Sequence, residues 1–251
     1  MKIGIIIQTR MGSSRLPGKI MMKADQTDLM LDYSINQLSN CKNCNNIIIA
    51  TTNESQDDQI FEHCKKHNVE VFRGSENDVL DRHYQCAKKF HLTHIIRIPS
   101  DKPLIDPQVI DLIIEKFQNN NFDYIANFEV KKQNEDYIVY STYPSGTEVE
   151  MFSFDALETA WKNATNSEER EHVTPYIYLN PQKFRINSIK LKNNLSHLRW
   201  SLDYESDLRF IREIINKTKN RPILINDIVN VLKQYPELLE INKENERITK
   251  N

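Results

Sequence analysis

Runs of consecutive apolar residues with little polar alternation recur through the first half of the chain. They cover residues 3–7, 46–52 and 93–98, and β-branched side chains dominate them. Strands that are covered on both faces have this pattern, whereas half-exposed strands alternate apolar and polar residues. Between the runs, apolar residues at helical spacing predict helices over 29–38 and 56–67. Two βα units in succession predict a parallel sheet with helices on its faces.

The same patterns predict the rest of the fold. Further strands are predicted at 69–72, 122–126, 184–191 and 197–202, with an alternating strand inside 143–152, and further helices at 75–89, 108–119, 154–162, from 168 onward, at 208–217 and at 225–234. The pattern weakens over 128–142, where polar residues dominate. We therefore predict a Rossmann-like α/β fold with a mixed, mainly parallel sheet flanked by helices. At 251 residues a single α/β domain over 1–251 is expected.

Composition excludes several classes of protein. The net charge is −2, from 33 basic and 35 acidic residues that are well mixed, which argues against a nucleic-acid surface. No apolar run approaches the roughly 18 residues of a membrane helix, and the chain starts with a strand, not with a signal peptide. The four cysteines fit a reducing compartment, and Cys41 and Cys44 have no second pair to complete a zinc site. We expect a cytoplasmic protein without zinc.

The loop after the first strand carries three cations, Arg10, Arg15 and Lys19, together with Gly12 and Gly18. Ligands of open α/β sheets bind at the carboxyl ends of strands, where glycine lets the backbone approach them closely. Arginine offers a planar fork to phosphate oxygens and lysine a point charge, so a triphosphate suits this loop better than a single carboxylate.

Two common phosphate motifs do not match this loop. The spacing from Gly12 to Lys19 is one residue too long for a P-loop, and Ile20 stands where Ser or Thr would hold magnesium. A Gly-x-Gly-x-x-Gly sequence is also absent from the chain. Residues 8–19, Gln-Thr-Arg-Met-Gly-Ser-Ser-Arg-Leu-Pro-Gly-Lys, instead resemble the opening motif of the cytidylyltransferases that make CMP-activated sugar acids. The chain is most similar to the SpsF-type members, which are related to the CMP-Kdo and CMP-sialate synthetases.

The resemblance implies a nucleotide-diphospho-sugar transferase type of fold and a set of nucleotide contacts. Those contacts would be Gln8, Thr9, Arg10, Arg15, Lys19, Arg73, Ser75 and Ser100. Residues 1–127 would form the nucleotide-binding half, and residues 128–251 the acceptor-binding half with the C-terminal helices. For Ser75 the residues alone favour another reading, in which it caps the following helix together with Asp78.

Two aspartates follow predicted strands and suit a magnesium ion. Asp101 lies in a proline-stiffened turn after 93–98, and Asp203 follows 197–202. Mg²⁺ in proteins takes one or two carboxylates and leaves its other positions to water and phosphate. In the resembling synthetases both matching positions bind the metal. Asp106 before Pro107 is predicted to be a helix cap, and Asp207 a first-turn helix carboxylate.

The resemblance also places an anionic acceptor near the second half of the chain. Its contacts would be Tyr143, Glu148, Glu150, Arg170, His172 and Arg199, with Trp200 beside them. For Glu148 and Glu150 a solvated strand face is the alternative. For Arg170 and His172 the alternative is pairing within the helix with Glu168 and Glu171.

The predicted reaction is attack of an acceptor oxygen on the α-phosphorus of CTP, with release of pyrophosphate and with Mg²⁺ as cofactor. Arg10, Lys19 and Asp101 would be the catalytic residues. The acceptor is either a sugar acid or a phosphorylated compound, and the sequence does not decide between them. A glycosyltransferase and a partner protein without catalysis are the other hypotheses, although Asp101-Lys102-Pro103 is not an Asp-x-Asp motif. Related synthetases are commonly dimers, so a homodimer is expected.

Overall fold

A computed structural model describes residues 1–133 and 136–245. The strands are β1 (Ile3–Gln8), β2 (Ile47–Thr52), β3 (Glu70–Gly74), β4 (His94–Pro99), β5 (Tyr124–Ala126), β6 (Glu129–Gln133), β7 (Asp136–Tyr140), β8 (Glu150–Ser153) and β9 (Ile186–Ser188). The helices are α1 (Met30–Leu38), α2 (Asp58–Lys66), α3 (Val79–Lys89), α4 (Pro107–Gln118), α5 (Phe154–Asn163), α6 (Ser167–His172), α7 (Pro175–Tyr178), α8 (Glu205–Lys217) and α9 (Ile225–Gln234).

Seven strands form one mixed sheet in the order β3-β2-β1-β4-β8-β5-β9. Strand β8 runs antiparallel to both of its neighbours, and the other adjacent pairs are parallel. The chain leaves β1 toward β2 and β3 on one side, and later returns to β4 on the other side. The carboxyl ends of β1 and β4 therefore meet where the direction of winding reverses, which is where open α/β sheets bind ligands. The predicted α/β fold with a mainly parallel sheet is confirmed.

The sheet separates two apolar layers, as its continuous apolar strands predict. Ile5 and Ile7 of β1 face the layer that contains α1, α2, α4, α8 and α9, whereas Ile6 faces the layer of α3, α5 and α7. All three side chains are fully buried. Strand β1 thus lies at the centre of the core and fixes the start of the loop that follows it.

The observed strands differ from the sequence prediction at four places. Residues 128–142 contain a two-stranded hairpin, β6 and β7, which the sequence pattern missed because most of its side chains are exposed. Residues 197–202 form no strand, since their only ladder contact is a single bridge between Ser145 and Arg199. The strand expected inside 143–152 begins only at Glu150, and β9 is three residues long instead of eight.

Two of the three side chains predicted to stabilise helix starts do so in the structure. The carboxylate of Asp106 accepts from Gln108 N, with Pro107 in the first turn of α4. Asp207 likewise accepts from the backbone N–H groups that precede α8. The cap of α3 is Asp78 and not Ser75, whose hydroxyl accepts from Asp78 N one turn earlier.

The described helices include none that is long and apolar enough to cross a membrane. All four cysteines are buried and free of disulfide bonds.

Candidate active site

A cleft of about 280 Å³ opens at the carboxyl ends of β1 and β4. Five parts of the chain line it, namely the loop after β1, the turn after β4, the first turn of α3, the end of α6 and the segment before α8. Their residues in the cleft are Gln8, Thr9, Arg10, Gly12, Ser13, Ser14, Arg15, Lys19, Pro99, Ser100, Asp101, Val79, Arg82, Glu171, His172 and Asp203. Most of the sequence-predicted nucleotide residues, and both predicted metal ligands, are among them.

Buried Asp57 holds the start of the cationic loop. One of its carboxylate oxygens accepts from Met11 N at 2.7 Å, and the other accepts from the hydroxyls of Thr51 and Thr52 at 2.9 and 2.5 Å. Asp57 is fully buried, so these bonds are shielded from water. The loop is therefore tied to the end of β2 directly beside Arg10, which is itself exposed. Sequence reasoning did not identify Asp57, because it reads as an ordinary acidic residue at a helix start.

Three cations of the site converge on the carboxylate of Asp203. Arg15 Nη2 and Lys19 Nζ lie 2.9 and 3.1 Å from Oδ1, and Arg199 Nη2 lies 2.9 Å from Oδ2. Lys19 also donates to the carbonyl of Leu202 at 2.5 Å. Burial alone would raise the pKa of Asp203, but Lys19, Arg199 and Arg15 together hold it below its ordinary value. The carboxylate is charged at neutral pH, with both oxygens engaged.

Asp101 differs from Asp203 in having an unused oxygen. Its Oδ1 is buried and has no hydrogen-bond partner in the described structure. A backbone bond of 2.8 Å from Leu202 N to Asp101 O places the two aspartate segments side by side. A buried carboxylate oxygen without a partner is costly unless a ligand completes it, and Mg²⁺ takes such oxygens. Asp101 thus fits a metal ligand, and Asp203 fits one if it exchanges a cation partner. The part of the chain described here contains no group of three or more metal-binding side chains.

Arg82 is a cleft residue that sequence reasoning missed. It lies at the end of the first turn of α3, only 2% exposed, with Nη1 donating to the carbonyl of Ser75 at 2.6 Å and with Nε unpaired in the described structure. Burial, and after it the charge of Arg10, lowers the pKa of Arg82 to about 10. The guanidinium is still charged at neutral pH, so it joins Arg10, Arg15 and Lys19 as a cation that lines the cleft. In the sequence it looks like a solvated helix cation, and no pattern separates it from its neighbours.

Helix α6 forms the wall that carries His172 and Glu171. Arg170 makes ion-paired hydrogen bonds to Asp78 at the start of α3 and donates to the carbonyl of Trp161 at 2.8 Å. The pairing within its own helix that the sequence suggested for Arg170 was therefore wrong, because its ion-pair partner is on α3. Its predicted contact with an acceptor stays a prediction. His172 lines the cleft, and its predicted contact with an acceptor stays a prediction.

Several predicted site residues lie outside the lining of this cleft. Arg73 binds Asp58 and the carbonyls of Thr52 and Glu54, and Ser75 serves the turn before α3. Tyr143 is 1% exposed and belongs to the core. In the structure all three residues contact protein groups, and their predicted contact with a ligand stays a prediction.

The two predicted glutamates and Arg199 also bind protein groups. Glu148 pairs with Lys102 at 3.1 Å, and Arg199 binds Asp203 and Asp207. Glu150 is 3% exposed in the middle of the sheet. The solvated strand face suggested as an alternative for Glu150 was therefore wrong. Glu150 does not line the cleft, and its predicted contact with an acceptor stays a prediction.

Comparisons with known proteins agree with the resemblance found in the loop. The chain matches the sequence profile of the cytidylyltransferases over residues 4–214. It is 37% identical over 244 residues to an uncharacterized protein of Methanocaldococcus jannaschii, covering 96% of this chain and 95% of that protein. It is 30% identical over 240 residues to the spore coat polysaccharide biosynthesis protein SpsF of Bacillus subtilis, covering 92% and 94%. A solved cytidylyltransferase from Leptospira borgpetersenii superposes with a TM-score of 0.85 at 31% identity, covering 95% and 96%.

Proposed function

Since the chain belongs to the cytidylyltransferase family, we propose that it transfers CMP from CTP to an acidic sugar and releases pyrophosphate, with Mg²⁺ as cofactor. The observation that carries this proposal is the single cleft that Arg10, Arg15, Lys19, Asp101 and Asp203 share at the ends of β1 and β4. Such an arrangement suits a polyphosphate with a divalent ion better than any neutral ligand. Likeness to SpsF supports a place in surface polysaccharide biosynthesis.

In the proposed reaction an acceptor oxygen forms a bond to the α-phosphorus while the bond from that phosphorus to the bridging oxygen of the β-phosphate breaks. The acceptor gives up its proton to solvent or to the leaving pyrophosphate. Arg10, Arg15 and Lys19 hold the triphosphate in line and stabilise the charge that grows on the leaving group. Asp101 and Asp203 would hold Mg²⁺, which would neutralise charge on the phosphates and would lower the pKa of an attacking hydroxyl. No covalent enzyme intermediate is required.

The alternative acceptor is a phosphorylated compound, which would give a CDP-linked product. Arg82 and His172 in the cleft favour an anion in either case, since both can bind a carboxylate or a phosphate. We further propose that the protein is a cytoplasmic homodimer and that residues 1–127 bind the nucleotide.

The test is a screen for pyrophosphate release with each of the four nucleoside triphosphates and a panel of sugar acids and sugar phosphates. The expected result is pyrophosphate with CTP and one class of acceptor, and a mass spectrum then shows either a CMP ester or a CDP diester. Release of a nucleoside diphosphate when sugar nucleotides replace the triphosphates would instead show a glycosyltransferase. No turnover with any pair, although CTP binds, would favour a partner protein.

A further inference from the structure

The side-chain amide of Gln8 is held in one orientation by Arg97. Gln8 ends β1 and lines the cleft, while Arg97 lies on the neighbouring strand β4, where it pairs in register with Ile6. Arg97 Nε donates to Gln8 Oε1 at 2.9 Å. A guanidinium has only donors, so the oxygen of the amide must face Arg97. The NH₂ group is then turned away from Arg97, and it donates no hydrogen bond within the described residues.

Arg97 is itself fixed by a buried carboxylate. Its Nη1 lies 2.5 Å from Oε2 of Glu150, the residue directly opposite on β8. The other oxygen of Glu150 accepts from Tyr124 OH at 2.7 Å and from Thr174 Oγ1 at 2.5 Å. The side chains of Arg97 and Glu150 are only 12% and 5% exposed. Moving Arg97 would leave a buried charge without its partner, which is expensive.

The donors to Glu150 also keep their protons. Burial, and after it the charge of Glu150, raises the pKa of Tyr124 well above its ordinary value. Tyr124 and Thr174 therefore donate at any physiological pH, and the two oxygens of Glu150 keep their assigned partners. The chain of bonds from Thr174 to Gln8 has one consistent set of donors and acceptors, so the amide of Gln8 cannot turn over without breaking it.

The surroundings of Gln8 suit a planar ring. Pro99 stands opposite Gln8 in the strand register, and Val79 from α3 lines the same cleft. Two apolar side chains with one oriented polar group are typical of a pocket in which shape admits a ligand and the polar group selects it.

We propose that Gln8 selects the nucleotide, by donating from Nε2 to N3 of cytosine, and that the Arg97–Glu150 pair positions it. This inference rests on the proposed function and deepens it. N3 of cytosine is an acceptor, whereas N3 of uracil carries a hydrogen and cannot accept. O2 accepts in both bases, so the selection depends on the contact with N3. A glutamine that could turn over would serve either base, because its oxygen would accept from N3–H of uracil. The anchored amide offers only a donor and rejects uracil by leaving polar groups unpaired.

The experiment is calorimetric titration of CTP and UTP into the full chain, which needs no acceptor. Gln8→Met removes the donor at nearly constant side-chain size. It is expected to weaken the binding of CTP about 10-fold, with little change in the affinity for UTP. The double variant R97M/E150Q removes both charges together, so that neither is left buried alone. It frees the amide of Gln8 to turn over. It is expected to increase the affinity for UTP several-fold and to lower the affinity for CTP at most 2- to 3-fold.

Gln85→Met is the matched control, because Gln85 lies on α3, binds Asp81 and does not line the cleft. It is expected to leave both affinities unchanged. An unchanged ratio of the CTP and UTP affinities in Gln8→Met, or equal losses for both nucleotides in R97M/E150Q, overturns the inference. So does a wild-type protein that binds the two nucleotides equally, and in that case CMP transfer is still tested by the pyrophosphate screen. Conversely, a preference for CTP that depends on Gln8, without any turnover, would uphold the inference and refute the proposed function.

Discussion

Replacing Asp203 by Asn is expected to tighten the binding of pyrophosphate in the absence of metal. In the structure Asp203 occupies Arg15 and Lys19, the same two cations that are proposed to hold the phosphates. An anion on these cations would lie about 5 Å from Asp203 Oδ1, since each hydrogen bond spans about 3 Å. At an effective dielectric constant of about 40 for a partly exposed cleft, the repulsion between two unit charges at that distance is about 1.7 kcal/mol.

This repulsion corresponds to roughly a 15- to 20-fold difference in affinity. The assay is calorimetric titration of pyrophosphate into the wild type and Asp203→Asn, both in a chelator of divalent ions. Glu171→Gln is the control, because Glu171 lines the same cleft but forms no ion pair in the described part of the chain. It is expected to change the affinity less than about 3-fold, since the salt of the buffer screens an exposed charge. Circular dichroism confirms that each variant is folded.

An unchanged or weaker affinity in Asp203→Asn would refute the reasoning. It would mean that Asp203 orients Arg15 and Lys19 for the anion instead of competing with it. With Mg²⁺ present the order of affinities is expected to reverse, because the wild type can then place Asp203 on the metal and release both cations.

The pKa of Asp203 is lowered in the folded protein, so its contribution to stability is present above about pH 4 and is lost as pH falls further.

Three other changes test separate parts of the structure. Asp101→Asn is expected to lower turnover about 100-fold and to raise the Mg²⁺ concentration for half-maximal pyrophosphate release, because its buried oxygen is the one without a protein partner. Burial lowers the pKa of His83 to about 3, so the unfolded chain alone gains this proton as pH falls from about 6.5 to 3. Urea unfolding is expected to show that the free energy of unfolding falls by about 1.4 kcal/mol per pH unit in that range because of His83. The variant His83→Gln is expected to lack this contribution. Gly146→Ala would place a Cβ 2.7 Å from the backbone N of Ser201 at a φ of 100°, and it is expected to cost about 2 kcal/mol, measured as a lowered Tm, whereas Gly12→Ala has space.

The sequence predicted the parts of the fold that depend on local pattern. Buried strands are read from runs such as 46–52, and helix starts from side chains such as Asp106 before Pro107. It failed where a segment takes its shape from distant partners. Leu198, Trp200 and Leu202 alternate like a strand because all three are buried, yet the segment bridges only to Ser145. Burial sets the alternation, and the ladder of hydrogen bonds that would make a strand is not visible in one sequence.

The parts of the candidate site that directly follow a strand could be predicted from the sequence. The ends of β1 and β4 meet because the strands are parallel neighbours, which brings the cationic loop and Asp101 together. Arg82 could not be found in this way, since it enters the cleft from a helix. Its burial depends on how closely α3 packs on the sheet, and sequence spacing does not carry that information.

Glu150 shows most clearly why roles assigned from the sequence need the register of the sheet. The sequence places Gln8 with the nucleotide and Glu150 with the acceptor, about 140 residues away along the chain. Strand β8 lies between β4 and β5, so Glu150 stands opposite Arg97, which in turn binds Gln8. A boundary near residue 127 therefore separates two proposed roles but not two structures, because the halves share one sheet and one buried ion pair. If a substitution at Glu150 changes the KM for the acceptor, its effect on the affinity for the nucleotide must be measured as well. The reason is that the hydrogen-bonded path from Glu150 leads through Arg97 to Gln8.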